Sequence, residues 1–105
     1  MIVRPFHFMK TVTTATTREQ LTTAERHVTS AIIQAEITNT GYVYVGNSTV
    51  SSTDYFALLV AGASVSLDAL SLGLSDAKID LSEIWLDVSV STDGVSVGYL
   101  ETVER

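Results

Sequence analysis

The 105-residue chain has no cysteine, one proline and six glycines. The absence of cysteine excludes disulfide bonds, thiolate metal sites and a cysteine nucleophile, and it suits synthesis in a reducing cytoplasm. Serine and threonine instead supply about a quarter of the residues, and both favour strands, turns and polar sheet faces. The hydrophobic fraction of 46% is too high for a disordered chain. The composition therefore favours one all-β domain.

Long apolar runs are also missing. The first ten residues lack the apolar core of a signal peptide. The most apolar segment, residues 55–70, is interrupted by Gly62, Ser64, Ser66 and Asp68, which excludes a transmembrane helix. We expect a soluble protein without a membrane partner.

Basic residues are scarce, and the net charge is −6. Residues 1–27 carry four basic and two acidic side chains, whereas residues 28–105 carry two basic and ten acidic ones. Nucleic-acid binding needs a clustered basic surface, so the acidic body argues against such a partner. A mildly basic N-terminal segment suits docking onto an acidic protein surface, and an ordinary scatter of solvated charges gives the same counts.

The sequence contains no motif of a known catalytic or cofactor site. It has no G-x-S-x-G elbow, no G-K-[ST] after a glycine-rich loop and no D-x-[DN]-x-[DN]-G calcium loop. The two histidines, His7 and His27, lie in unlike contexts without evident partners. Asp76, Asp80 and Glu83 have helical spacing and could gather around Ca²⁺, but we interpret them as solvated loop charges. We predict no catalytic, cofactor-binding or metal-binding residues.

Residues 31–50 are the clearest structural unit. Their alternation predicts two paired strands, with Asn39, Thr40 and Gly41 in the turn between them. A second turn is predicted at Gly46 and Asn47. Predicted core positions on the two strands are Ile33, Ala35 and Ile37, then Val43 and Val45.

The rest of the chain alternates between strand and turn patterns. Residues 10–17 and 28–38 are predicted strands, and residues 22–27 a turn or short bend. Residues 55–60 are predicted to form a buried strand or a core-filling loop, followed by a turn at residues 61–63. The later segments are a half-exposed strand at 64–70, a leucine-rich loop at 70–82, a strand at 83–90 and a hairpin turn at Asp93 and Gly94. Short strands at this spacing indicate a compact β-sandwich or jelly-roll-like domain.

The first nine residues are predicted to form an N-terminal arm or an edge, with the β-sandwich domain at residues 10–105. Pro5 cannot donate to a sheet ladder. Phe6 and Phe8 must be buried, either against the domain's own core or in a partner. The sequence leaves both outcomes open.

Aromatic side chains supply the remaining candidates for contact with a partner. Tyr42 and Tyr44 share one strand face, and Trp85 lies on the polar face of its own strand. Tryptophan is enriched at binding hot spots, although burial within the monomer explains it as well. The complete set of candidate interface residues is Arg4, Phe6, Phe8, Tyr42, Tyr44 and Trp85.

Several stretches resemble a group of small structural proteins of tailed bacteriophages. They are K-T-V-T-T-A-T-T-R-E-Q-L, I-Q-A-E-I-T-N-T-G-Y-V-Y-V-G-N-S-T-V-S-S-T, A-G-A-S-V-S-L, L-S-E-I-W-L-D and G-V-S-V-G-Y-L. The resemblance covers roughly residues 10–100, and T-N-T-G-Y-V-Y-V-G is its most specific part. The segment before residue 10 and the leucine-rich loop at 70–79 lie outside it.

The resemblance implies a non-catalytic virion protein with a β-sandwich-like fold, made in the host cytoplasm. The chain is similar to head decoration (cement) proteins, which bind the major capsid protein on the outer head surface. This similarity implies a homotrimer or larger ring. Two alternatives stay open: a tail, neck or fibre component, and a carbohydrate- or receptor-binding knob that stacks sugars on Tyr42, Tyr44 and Trp85.

Overall fold

The protein is an all-β domain built mainly from two four-stranded antiparallel sheets. The computed structural model describes residues 2–68 and 78–103. Within these residues there are ten strands: β1 (Ile2–Thr11), β2 (Glu19–Gln20), β3 (His27–Val28), β4 (Ser30–Ala35), β5 (Val43–Gly46), β6 (Ala57–Leu59), β7 (Ser64–Asp68), β8 (Ile79–Asp80), β9 (Trp85–Val88) and β10 (Gly94–Val103). A single 3₁₀ turn at Leu81–Glu83 separates β8 from β9.

The strands divide between the two large sheets in a regular order. Sheet A has the order β1-β10-β4-β7, and sheet B has the order β2-β9-β5-β6. The short strands β3 and β8 form a separate pair. With β3 and β8 set aside, consecutive described strands lie in different large sheets, and the exception is β5–β6, which are neighbours in sheet B.

The core lies between the sheets and follows from strand alternation. From sheet A it takes alternate residues of β4 and β10, and from sheet B alternate residues of β5 and β9, because side chains on a strand point to opposite faces every second residue. These side chains are Ala31, Ile33, Ala35, Val95, Val97 and Tyr99 on one side and Val43, Val45, Leu86 and Val88 on the other. Burial of this aliphatic surface is the main force that holds the sheets together.

The predicted hairpin at residues 31–50 is wrong. Both strands exist, but β4 lies in sheet A and β5 lies in sheet B, so they do not pair with each other. The predicted hairpin at Asp93 and Gly94 is wrong for the same reason, because β9 and β10 also lie in different sheets. In both places the turn residues carry the chain across the core.

These two crossover loops bind each other. The side chain of Asn39 donates to the Gly94 carbonyl at 2.8 Å and accepts from the Gly94 N–H at 3.0 Å. The Asp93 carboxylate accepts from the N–H groups of Gly41 at 2.8 Å and Thr40 at 3.3 Å. The sequence patterns N-T-G and D-G therefore mark one joint between the sheets.

Glycine has different reasons to be present at two of the turns. Among the described glycines, positive φ occurs at Gly62 alone (82°), which confirms the predicted turn at residues 61–63. Gly41 has no positive φ, contrary to the hairpin prediction. A Cβ at this position would collide with the Ser89 Oγ and the Val90 Cγ2. Glycine is therefore needed so that the backbone at this position can lie close to Ser89 and Val90.

The predicted N-terminal arm or edge is an edge strand. β1 pairs with β10 along its whole length, from Ile2 opposite Val103 to Thr11 opposite Gly94. β4 covers β10 only as far as Leu100. The beginning of β1 and the end of β10 therefore extend past the sandwich as a two-stranded ribbon.

Other predictions differ at their ends. The strand predicted at 28–38 ends at Ala35, and Ile37, expected in the core, is 81% exposed. The segment predicted to be buried at residues 55–60 is mostly exposed, and Leu59 is its buried member. The half-exposed strand after residue 63 is confirmed over Ser64–Asp68. The leucines predicted to cover one end of the core at residues 70–74 lie outside the described residues.

Candidate interaction surfaces

The phenylalanines of β1 contact the protein's own core. Opposite residues of an antiparallel pair share a face, and Phe6 lies opposite Tyr99. The Phe6 ring stacks on Tyr99 with centroids 5.5 Å apart, and the half-buried Phe8 meets Tyr99 edge-on at 6.0 Å. Arg26 covers Tyr99 with its guanidinium 5.8 Å from the ring centroid. The phenylalanines thus serve the fold, and Phe6 keeps an exposed edge.

Arg4 lies near the free end of the β1–β10 ribbon. It is exposed and stands opposite Glu101 in the register. The Glu101 carboxylate lies 3.6 Å from the Arg26 guanidinium. Within residues 2–68 and 78–103, no salt bridge within 4 Å involves Arg4, so its charge is available at the surface.

The predicted aromatic platform does not form. Tyr44 is buried and packs against Tyr55 with ring centroids 5.4 Å apart. Trp85 is half-buried opposite Gly46, at one end of the β5–β9 pair. Tyr42 is exposed at the other end of that pair, where its carbonyl accepts from the Ser89 N–H. The structure therefore does not bring the three rings onto one flat surface.

The outer face of sheet A carries an apolar surface that sequence reasoning missed. We call it the outer band and define it by Val3, Pro5, Met9, Ile32 and Leu100. Four of these side chains are large hydrophobics exposed by 37–63%. The sequence shows these residues alternating with inward-facing ones along β1 and β4. It does not show the strand pairing that places the exposed residues side by side.

Gly98 opens a depression in the middle of the outer band. It lies on β10 between His7 and Ile32 in the register. A Cβ at this position would lie 3.4 Å from the Ile32 Cγ2, so the missing side chain leaves Ile32 uncovered. The resulting depression has a volume of about 390 Å³, and Pro5, Ile32 and Leu100 line it.

A second group of exposed apolar side chains surrounds the edge strand β6 of sheet B. It lies on the opposite side of the sandwich from the outer band. Its members are Tyr55, Phe56, Leu58 and Val60. Because both flanks expose apolar residues, experiments can compare the two directly.

Two carboxylates have perturbed acidity. Hydrogen bonds from Lys10 and Thr13 lower the pKa of Glu19 to about 2, and the Lys10 Nζ lies 2.8 Å from the Glu19 Oε1. Hydrogen bonds from Ser82 likewise lower the pKa of Asp80, and the main-chain N–H of Arg26 adds to the effect. Asp80 is therefore an anchored group that caps the 3₁₀ turn, rather than the solvated loop charge that we predicted.

Comparisons with protein-family models, with curated proteins and with solved structures give no significant match to this chain. Across the residues that the structure describes, no helix is long and apolar enough to cross a membrane.

Proposed function

We propose that this chain is a non-catalytic structural protein of a bacteriophage virion, and most specifically a capsid decoration protein. The proposal starts from the resemblance of residues 10–100 to small phage structural proteins. Its partner is the major capsid protein on the outer head surface. Binding to the assembled shell alone would stabilise that shell by mass action.

The strand order supports this class of function. If the short pair β3–β8 is set aside, eight strands remain in two sheets of order 1-10-4-7 and 2-9-5-6. We propose that this is a jelly roll, whose strands alternate between two sheets in this manner. Jelly rolls occur in viral capsid proteins and also in lectins, so the argument from fold is an analogy.

The outer band is the observation that carries the proposal. Monomeric proteins rarely keep a contiguous row of large apolar side chains on an open sheet face, because water contact with such a surface is unfavourable. Ile32 and Leu100 on neighbouring strands form its centre. A surface of this kind fits docking onto a folded partner protein.

The charges of β1 indicate what that partner surface carries. β1 contributes Arg4 and Lys10 to a protein whose net charge is −6. Lys10 is bound to Glu19, so Arg4 is the basic group left to meet a partner. Arg4 alternates with Val3 and Pro5, so it lies on the other face of the edge strand β1. We therefore propose docking through the outer band, with acidic groups of the capsid protein reaching Arg4 around that edge.

A matched pair of substitutions tests this docking surface. Ile32→Glu places a charge in the outer band, and Leu58→Glu places one on the opposite flank at similar exposure, 45% against 40%. Purified variants would be added to undecorated capsids of the phage that encodes the protein, and bound copies counted by electron microscopy and by co-sedimentation. We expect at least tenfold weaker binding for Ile32→Glu and little change for Leu58→Glu.

Three outcomes would contradict the proposal in different ways. Absence of the wild-type protein from head surfaces would exclude decoration, and binding to tails instead would support the tail or neck alternative. Loss of binding in Leu58→Glu alone would move the docking surface to β6. The glycan-binding alternative has lost part of its basis, because Tyr44 is buried.

A further inference from the structure

Three metal-ligating side chains converge beside the short β3–β8 pair. They are Glu25, His27 and Asp80, and their ligand atoms all lie within 4.8 Å of one another. The His27 Nε2 is 3.6 Å from the Glu25 Oε1 and 3.6 Å from the Asp80 Oδ2. The sequence does not show these partners of His27, because Asp80 is 53 positions away along the chain.

The backbone fixes two of the three positions. His27 stands directly opposite Asp80 in the antiparallel β3–β8 pair, so the two side chains share a face. The Leu81 N–H also donates to the Arg26 carbonyl at 2.9 Å, which extends this contact beyond the pair. The proximity of imidazole and carboxylate is therefore a property of the fold.

The two oxygens of Asp80 have separate partners. Oδ1 accepts from the Ser82 N–H at 3.0 Å, from the Ser82 hydroxyl at 2.8 Å and from the Arg26 N–H at 3.3 Å. These bonds orient the carboxylate and leave Oδ2 directed at His27. Metal-binding carboxylates are oriented by outer hydrogen bonds in the same way.

One imidazole nitrogen and two carboxylate oxygens form a suitable ligand set for Zn²⁺. Zinc binds such ligands at about 2.0–2.2 Å in a tetrahedron, which separates neighbouring ligand atoms by roughly 3.4 Å. The 3.6 Å separations around His27 are close to that value. Calcium would need about six to eight oxygen ligands, which these residues do not supply.

We propose that Glu25, His27 and Asp80 form a zinc site with one open coordination position. The bound ion would hold the segment before β3 against β8, next to the Arg26 contact with Tyr99 and Glu101. Water fills the fourth position in the isolated protein. The site is independent of the outer band, so it does not depend on the proposed decoration function.

Titration of the full chain with zinc chloride near pH 7.5 tests this site, after removal of any histidine tag. Isothermal calorimetry on the wild type should give one zinc per chain, and thermal unfolding with excess zinc should shift up by about 5 °C or more. His27→Ala and Asp80→Asn should weaken binding by at least about tenfold and remove most of the shift. His7→Ala is the matched control, because it removes the chain's other histidine, and it should bind zinc as the wild type does.

The competing explanation is an ion pair between protonated His27 and the two carboxylates. It predicts no stoichiometric zinc binding in the wild type, and that result would overturn the proposal. Equal binding by His27→Ala, or loss of binding in His7→Ala, would overturn it as well. His27 is 57% exposed in its side chain, so its replacement leaves the fold intact and keeps the test decisive even where Asp80→Asn unfolds.

Discussion

At the scale of single residues, Glu19 joins the two sheets at one edge. Its carboxylate binds Lys10 of β1 on one oxygen, and on the other the N–H and hydroxyl of Thr13, at 2.9 and 2.7 Å. Glu19 itself belongs to β2, in the other sheet. One carboxylate therefore satisfies three donors and closes the sandwich beside the first crossover.

The stability contributed by Glu19 should depend on pH. The folded-state pKa of about 2 lies below the ordinary value of 4.5, so the contribution is complete above about pH 4.5 and is lost as the pH falls toward 2. We expect Glu19→Gln to lower the free energy of unfolding by about 1 kcal/mol at pH 7, since water screens a side chain that is 25% exposed. Urea unfolding of both proteins between pH 2 and pH 7 measures this difference.

Lys10→Gln provides the control for that series. The hydrogen bond from Lys10 is the largest cause of the lowered pKa of Glu19, so this variant should show much of the same loss of pH dependence. A stability difference between wild type and Glu19→Gln that stays constant from pH 7 to pH 2 would contradict the assignment.

At the scale of elements, the joint between the two crossover loops carries the most specific prediction. Asp93 is 6% exposed and accepts two main-chain N–H groups from the loop between β4 and β5. Asp93→Ala would leave these donors without their charged acceptor, and we expect a loss of about 3 kcal/mol in the free energy of unfolding. Chemical denaturation monitored by far-ultraviolet circular dichroism measures the loss.

Asp54→Ala is the matched control for the loop joint. Asp54 is an exposed turn residue whose carboxylate accepts from the Thr49 hydroxyl at 3.0 Å, within the same loop. Its replacement should cost less than about 1 kcal/mol, because water can solvate the remaining donor. Equal losses for the two variants would mean that the contact between the crossover loops has no special weight.

The same strands and loops show which parts of the fold can be predicted from the sequence. Alternation correctly predicted the buried residues Ile33 and Ala35 of β4 and Val43 and Val45 of β5, because the period of two is fixed by backbone geometry. It could not predict strand partners: N-T-G and D-G are compatible with a tight hairpin and with a crossover between sheets, and long-range packing decides between them.

The same limit on prediction from the sequence applies to the candidate-site residues. The burial of Tyr44 depends on Tyr55, which lies beyond the next turn of the chain, and the stacking of Phe6 depends on Tyr99, near the other end of the sequence. The outer band and the group of His27 with Asp80 likewise arise only from strand register. The local sequence pattern predicts which side chains share one face of a strand. Predicting a surface also requires knowing which strands lie next to each other.

At the scale of the whole molecule, the repeated crossing between sheets predicts one cooperative unfolding transition. Neither sheet can keep its buried face without the other, and the crossover loops tie them together. The chain's one tryptophan, Trp85, reports on sheet B by fluorescence, and amide hydrogen exchange in β10 reports on sheet A. We expect both probes to give the same free energy of unfolding in denaturant.

Separate transitions for the two probes would indicate that one sheet persists alone, which the shared core argues against. A temperature series with the same probes provides an independent check.

Folding should also be slow for a chain of this size, on the scale of milliseconds to seconds, because nearly all strand pairs join distant segments.

The β1–β10 pairing has a practical consequence for engineering. Ile2 stands opposite Val103, so the two ends of the described chain leave the sandwich side by side at the tip of one ribbon. A short glycine-rich linker could join them, and new ends could be opened in the exposed turn at residues 47–49. The same adjacency means that a cargo fused to either end would emerge at one pole, at the opposite end of the β1–β10 pair from Gly94 and the joint between the crossover loops.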